Sequence, residues 1–309
     1  MGNGNLVTRA GRITRACALS VKSDFGGVMS DVLTKLRSNQ LVLNVVAGAL
    51  GGGVGSVFAE LVNALEPRYP NNVQTVVFTG LWCAFFTSVI AAALFAAGAW
   101  YQRRDLRSQP IVRALLFGAL AGFIAGSIAQ WLYQQEVGSL EFQNYVLRTF
   151  CWGLAGALIG AILSRTVPNL GLKRGAVAGF VGGAVGGIGF LVVSGLFQVT
   201  AGRFVGVAIL GAALGIAMYL AENLFREASL EVIWAPNETS RVSLGAQPIS
   251  IGGGEDHVFV RSLSPHVSSI IFQNGQIEHI ETASGKRTPL QDGSRLRIGP
   301  INLVVHAAK

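Results

Sequence analysis

The chain has 309 residues, of which 51% are hydrophobic and only 13% are charged, and its net charge is +8. Its mean hydropathy of +0.50 excludes an ordinary soluble globular protein and indicates an integral membrane protein. In that class a basic excess is typical of contact with anionic lipid, so we expect membrane lipid rather than nucleic acid as the charged partner.

The first element is a basic arm over residues 1–40 that lacks the apolar core of a secretory signal. Its six cations stand almost without acidic neighbours: Arg9, Arg12, Arg15, Lys22, Lys35 and Arg37. We interpret this arm as a retained cytoplasmic segment at the membrane surface.

Six apolar segments follow between residues 41 and 225, and they carry almost no charge in their interiors. Crossing a bilayer takes about 20 apolar residues at a helical rise of 1.5 Å per residue. The sequence therefore predicts a bundle of six transmembrane helices, over residues 41–65, 74–101, 111–134, 147–165, 174–198 and 201–222.

The basic residues fall in alternate connections between these segments. One set holds Arg103, Arg104, Arg107, Arg113, Arg165, Lys173, Arg174 and Arg226. The other set holds only Arg68, Arg148 and Arg203. Because basic loops stay in the cytoplasm, we predict a multi-pass protein of the cell inner (plasma) membrane with both termini cytoplasmic.

Glycines recur at a spacing of four residues along the predicted spans. Residues four apart share a helix face, and a face without side chains lets two helices approach closely in lipid. We therefore predict glycine-zipper packing, which would also permit a homo-oligomer. The stripes are Gly118, Gly122 and Gly126, then Gly156 and Gly160, then Gly175, Gly179, Gly183 and Gly187, and finally Gly211 and Gly215.

A transport role is the main alternative to a packed anchor. Ion and proton pathways normally require charged side chains at mid-membrane depth. Here Asn44, Glu60 and Glu222 all lie toward span ends. This favours a packed bundle, while a small-solute or ion channel or transporter regulated by the C-terminal domain stays open.

The C-terminal block, residues 228–309, has short β-branched runs separated by turn signals such as Asn274-Gly275 and Asp292-Gly293. This pattern predicts a small all-β sandwich. The predicted strands are Leu230–Trp234, Val242–Leu244, Ile249–Ile251, Val258–Val260, Ser268–Phe272, Ile277–Ile280, Arg295–Ile298 and Ile301–Val305.

This block resembles a forkhead-associated (FHA) domain through three segments. They are Pro248-Ile-Ser-Ile-Gly252, Ser264-Pro265-His266-Val267-Ser268 and Leu290-Gln-Asp-Gly-Ser-Arg-Leu-Arg-Ile-Gly299. The whole chain resembles bacterial polytopic membrane proteins that end in such a domain. The resemblance implies a cytoplasmic partner protein, which could be a phosphoprotein bound through phosphothreonine.

The family's phosphate-binding positions are not reproduced, since Gly253 stands where the family has Arg. A relocated phosphopeptide site would use Arg261, Ser264, His266, Ser284, Lys286 and Arg287. The sequence shows no catalytic triad, metal-ligand cluster or nucleotide loop, so we expect no enzyme activity, metal or cofactor. We therefore predict a membrane anchor or signalling scaffold that acts through protein–protein interaction, with degenerate or absent phosphothreonine recognition.

Overall fold

The structure is a computed structural model that describes residues 35–37, 39–104, 106–135, 141–165, 167–197, 199–236, 238–254 and 256–307. Most of the predicted basic arm therefore lies outside the described residues. The chain divides into two units, Met1–Asn39 and Gln40–Lys309, and the second contains both the helices and the β strands.

Six helices make up the first part of the second unit, and each is long and apolar enough to cross a membrane. This confirms the six apolar segments predicted from the sequence. The helices are α1 (Gln40–Leu65), α2 (Asn72–Tyr101), α3 (Ser108–Gln134), α4 (Glu141–Leu163), α5 (Leu172–Leu196) and α6 (Val199–Leu224).

A reciprocal side-chain cap fixes the start of α2 after the short connection from α1. The Asn71 side chain accepts a hydrogen bond from the Gln74 backbone N–H (2.8 Å), and the Gln74 side chain accepts one from Asn71 N–H (2.9 Å). This capping box satisfies two donors that a helix start otherwise leaves unpaired. It explains why the helix begins two residues before the apolar segment predicted at 74.

The helices form a closed ring in which each packs against its chain neighbours and α6 returns to α1. Aromatic rings from α2, α4 and α5 meet inside it. The centroid of Phe86 lies 5.7 Å from that of Trp152, which lies 5.3 Å from that of Phe190. Phe86 is fully buried. Large side chains therefore occupy the interior of the ring at this level, beside a cavity of about 180 Å³ that Trp152 and Phe190 also line.

The glycines predicted to pack helices lie where neighbouring backbones come together. A Cβ at Gly156 would overlap the carbonyl oxygen of Gly179, and one at Gly211 would overlap that of Gly48. Added Cβ atoms at Gly118, Gly122, Gly126, Gly160, Gly175, Gly183, Gly187 and Gly215 would likewise meet atoms of a neighbouring helix. A side chain at any of these positions would push two helices apart.

Nine strands follow α6 after a connection of three residues. They are β1 (Ala228–Ala235), β2 (Glu238–Leu244), β3 (Ile249–Gly252), β4 (Val258–Phe259), β5 (Ser268–Gln273), β6 (Gln276–Glu281), β7 (Arg287–Leu290), β8 (Arg295–Ile298) and β9 (Ile301–Ala307). They form a four-stranded sheet in the order β2-β1-β9-β8 and a five-stranded sheet in the order β4-β3-β5-β6-β7. All pairings are antiparallel except β3 with β4.

Apolar side chains from both sheets share one hydrophobic core. Leu230 and Leu303 of the four-stranded sheet and Ile251 and Ile270 of the five-stranded sheet are fully buried within it. The hairpin between β5 and β6 turns at Asn274 (φ 53°) and Gly275 (φ 77°), as the sequence predicts. Positive φ at both central residues suits the twist of a two-residue hairpin, and glycine adopts it without strain.

Strand β7 is the one strand of this domain that the sequence pattern does not predict. It pairs with β6 from Ile277–Leu290 to Ile280–Arg287. Pro289 cannot donate a ladder hydrogen bond, so proline normally argues against a strand. It is tolerated here because β7 is an edge strand, and Arg287 thereby moves from the predicted loop into the sheet.

Candidate functional site

The β domain is held against one end of the helical bundle by polar contacts from loops and helix ends. Asn169, between α4 and α5, makes three of them. Its Nδ2 donates to the carbonyl oxygens of Ser243 (3.2 Å) and Gln247 (3.3 Å), and its Oδ1 accepts from Gln247 N–H (2.9 Å). One side chain thus ties the α4–α5 loop to the segment between β2 and β3.

A second group of contacts joins the end of α2 to the hairpin of β1 and β2. The Tyr101 hydroxyl accepts a hydrogen bond from Arg241 N–H (3.1 Å). The Arg103 guanidinium pairs with Glu238 and lies 4.9 Å from the centre of the Trp234 ring. Such a cation over an indole face is attracted by the ring quadrupole. Arg226, just after α6, adds a hydrogen bond to the Ser243 hydroxyl (3.2 Å).

These contacts define how the two sheets stand on the bundle. On the β domain, these contacts come from Trp234 of β1, from strand β2 and from Gln247 just before β3. Strands β2 and β4 each lie at one edge of their sheet. Strands β7 and β8 lie at the other two edges. We call β7 and β8 together the outer edge.

The outer edge is basic and exposed. Arg287 on β7 and Arg295 and Arg297 on β8 are all exposed, whereas Ile298 is buried. Because side chains alternate along a strand, Arg295 and Arg297 project from the same face of β8. Arg287 has an acidic neighbour, Glu278, at 3.4 Å.

A cavity of about 500 Å³, which we call the junction cavity, separates part of the bundle from the β domain. Helix ends and loops supply four arginines to its wall, and the segment between β3 and β4 supplies Gly254 and Asp256. The four arginines are Arg104, Arg107, Arg113 and Arg165.

A second cavity of about 600 Å³, the lateral cavity, shares Arg104 and Arg165 with the first. His257 also lines it. Burial, and after it the positive charge of Arg104, lowers the pKa of His257, while the charge of Asp256 acts in the opposite direction. The Ser250 backbone N–H donates to His257 Nδ1 (3.2 Å), so the proton of the neutral ring resides on Nε2.

The residues predicted for phosphopeptide binding occupy two neighbouring loops. Arg261, Ser264 and His266 lie between β4 and β5, while Ser284, Lys286 and Arg287 lie at or near the start of β7. The loops meet where Thr282 N–H donates to the Val267 carbonyl oxygen (3.1 Å). All six predicted residues are exposed.

Three of these six side chains already lie beside carboxylates. Ser284 donates to Glu281 (2.5 Å), Arg287 pairs with Glu278, and His266 Nδ1 lies 2.5 Å from Asp256. The His266 contact does not have hydrogen-bond geometry and becomes an ion pair when the ring is protonated. Nearby carboxylates compete with a phosphate for the same donors, which weakens the case for phosphate recognition at these loops.

The sequence analysis used the cavity arginines only to orient the helices and did not identify them as a site. The signal available in the sequence was that the charge alternation places the two basic loops on the same side of the membrane. Among the described residues, no cluster of three or more His, Cys, Asp or Glu could hold a metal ion.

Comparison with known proteins finds no matching family model, no similar curated protein and no similar solved structure. The FHA resemblance therefore rests only on the short segments quoted above. The architecture of six apolar helices followed by a two-sheet β domain stands independently of it.

Proposed function

We propose that the protein is a membrane scaffold of the inner (plasma) membrane whose FHA-like β domain binds a protein partner on the cytoplasmic side. The observation that carries the proposal is the attachment of the β domain. Strand β2 and the segment just before β3 are attached to the bundle, and the outer edge stays exposed. A partner bound there would be held at a fixed position relative to the membrane.

The charge of the outer edge indicates the chemistry of that partner. Arg295 and Arg297 project together, and Arg287 lies on the neighbouring edge strand. Complementary charge steers association and selects among partners. We therefore propose that the partner presents an acidic segment, which could carry phosphate.

The aromatic cluster inside the ring of helices supports a scaffold rather than a channel or transporter. Phe86, Trp152 and Phe190 pack together inside the bundle. Conduction would require these rings to separate, and the cations that lie beside the cluster, Arg148 and Arg203, are near the starts of their apolar spans rather than at mid-depth. Proteoliposomes that contain the purified chain should therefore show no solute flux above protein-free liposomes.

The direct test is capture of partner proteins by the full chain in lipid nanodiscs. The double charge reversal Arg295→Glu, Arg297→Glu removes the paired cations of the outer edge. Arg68→Glu reverses an exposed cation in the α1–α2 connection and serves as the control. We expect proteins retained by the wild-type chain to be retained by Arg68→Glu and reduced about tenfold or more by the double reversal.

A phosphothreonine peptide library separates phosphate recognition from general acidic recognition. Binding that requires phosphate and disappears in Arg261→Ala, Arg287→Ala would establish an FHA-type site in these loops. Equal binding of phosphorylated and unphosphorylated acidic peptides would instead assign recognition to charge alone. If the wild-type chain captures no partner protein at all, the scaffold proposal itself is contradicted.

A further inference from the structure

In the described part of its wall, the junction cavity has more cationic than anionic side chains. Four arginines line it, against two carboxylates in the described part of its wall, Glu222 and Asp256. Glu222 is engaged by polar partners, whereas Asp256 is engaged through only one of its two oxygens, since its buried Oδ1 has no hydrogen-bond partner among the described residues. Glu222 accepts a hydrogen bond from Gln40 (2.6 Å) and lies 3.5 Å from Arg226, and Asp256 accepts one from His266 N–H (2.7 Å).

Of the four cavity arginines, Arg104 is the least exposed to solvent. Its Nε is buried and has no hydrogen-bond partner among the described residues. Burial lowers the pKa of Arg104. Burying an unsatisfied charged donor is costly, so such a group in a cavity wall indicates an acceptor that completes it.

The start of α3 adds positive potential to the same cavity. Gln109 and Pro110, in the first turn of this 27-residue helix, line the wall. The N-cap residue Arg107 makes no side-chain cap, and the first turn contains no acidic residue. The unpaired N–H groups and the helix dipole therefore favour an anion near this end.

Part of the remaining wall is apolar and belongs to the transmembrane helices, next to the polar side chains of Gln40, Asn44 and Gln102. It includes Leu94 and Phe95 of α2, Leu163 of α4 and Met218 of α6. The cavity thus has an arginine-rich part near the β domain and an apolar part toward the helices. Its volume lies within the range of about 300–1,000 Å³ that is typical of ligand sites.

We propose that the junction cavity binds a phosphate group through Arg104, Arg107, Arg113 and Arg165. Guanidinium groups form paired hydrogen bonds to phosphate oxygens. Together, four of them supply enough donors for a phosphate dianion or for a phosphodiester. The phosphate belongs either to an anionic phospholipid headgroup, with its glycerol and upper acyl chain against the apolar wall, or to a soluble phosphorylated compound.

Two sets of samples distinguish these sources. In the lipid arm, the full chain is placed in phosphatidylcholine nanodiscs with and without phosphatidylglycerol, and co-purified lipid is measured by native mass spectrometry. In the soluble arm, thermal unfolding in pure phosphatidylcholine nanodiscs is followed with added inorganic phosphate or ATP, against potassium chloride at equal ionic strength.

The variants are Arg104→Gln and Arg165→Gln, with Arg68→Gln as the matched control at the opposite connection of the bundle. Arg165 is exposed, so its replacement should leave folding intact even if Arg104→Gln does not fold. Removal of one charge-assisted hydrogen bond should weaken binding about tenfold or more. Arg68→Gln should bind as the wild-type chain does.

Retention of phosphatidylglycerol that falls in Arg165→Gln but not in Arg68→Gln would identify a lipid headgroup. Stabilisation by phosphate or ATP with the same dependence would identify a soluble ligand. The proposal is overturned if neither probe binds the wild-type chain, or if binding is equal in Arg165→Gln, Arg68→Gln and the wild-type chain.

Discussion

Arg104 and His257 both line the lateral cavity, and the charge of the first acts on the protonation of the second. Burial, the Arg104 charge and the His266 charge lower the pKa of His257, and only the second of these causes depends on Arg104. His279, on β6, provides a comparison, because burial lowers its pKa while Glu281 opposes the shift.

Arg104→Met should therefore raise the pKa of His257 and leave that of His279 unchanged. Methionine retains much of the arginine stem, so packing is largely preserved while the charge is lost. Histidine titration by NMR on the full chain measures both values. An unchanged pKa of His257, or equal pKa shifts of both histidines, would show that Arg104 does not face His257 as described.

The lowered pKa values of His257 and His279 also predict acid sensitivity. The folded state binds fewer protons than the unfolded state, so the stabilisation is complete above the unfolded pKa of about 6.5 and is lost as pH falls through the folded values. His257→Asn, His279→Asn should reduce the fall in unfolding temperature between about pH 7 and 5. An unchanged pH dependence would contradict the role of these two side chains.

At the scale of elements, the helix crossings depend on glycine. Gly156→Ala would place a methyl group against the Gly179 carbonyl oxygen, whereas Gly98→Ala meets nothing within 4 Å. We expect Gly156→Ala to cost about 1–3 kcal/mol of stability through overpacking. Gly98→Ala should be neutral or stabilising by up to about 1 kcal/mol, because alanine favours helix. Thermal unfolding in detergent compares the two, and equal stability would remove support for glycine-dependent packing.

Asn169 attaches the β domain to the loop between α4 and α5. Asn169→Ala removes three hydrogen bonds between the α4–α5 loop and residues 243–247. Hydrogen exchange of this segment should become about tenfold faster or more, because each such bond contributes about 1 kcal/mol. Asn302→Ala, at an exposed position on β9, is the control. Unchanged exchange in Asn169→Ala would show that other contacts hold the segment.

The helices were predictable from the sequence because each apolar segment is long and its ends carry charges or turn residues. The strands were predictable where alternation is strong, as in Ser268–Gln273. Strand β7 was not, since its burial is slight and it contains Pro289. The junction cavity was hidden for another reason. Its arginines lie in separate loops, and only the closed ring of helices brings them to one place.

At the scale of the whole molecule, the proposed function requires the β domain and the bundle to behave as one body. The three-residue connection from α6 to β1 limits their separation, and the contacts of Tyr101, Asn169 and Arg226 fix their orientation. Binding of a partner at the outer edge and of a phosphate in the junction cavity would then both depend on the same rigid arrangement.

A disulfide across this junction tests that arrangement most directly. A Cβ at Gly245 would lie 2.9 Å from the Asn169 Cβ, slightly below the usual separation of about 3.5–4.5 Å for a disulfide. The pair Asn169→Cys, Gly245→Cys is introduced into a chain whose native cysteines are replaced, and it is oxidised in native membranes. Asn169→Cys, Gly293→Cys is the control, since Gly293 lies in the turn between β7 and β8.

We predict that the first pair cross-links nearly completely, that the control pair stays reduced, and that the cross-linked chain still captures its partner in a manner dependent on Arg295 and Arg297. Failure of the first pair to cross-link, or loss of partner capture once it has, would contradict the account. The first result would mean that the β domain does not rest on the bundle in this way, and the second that it must leave the bundle to function.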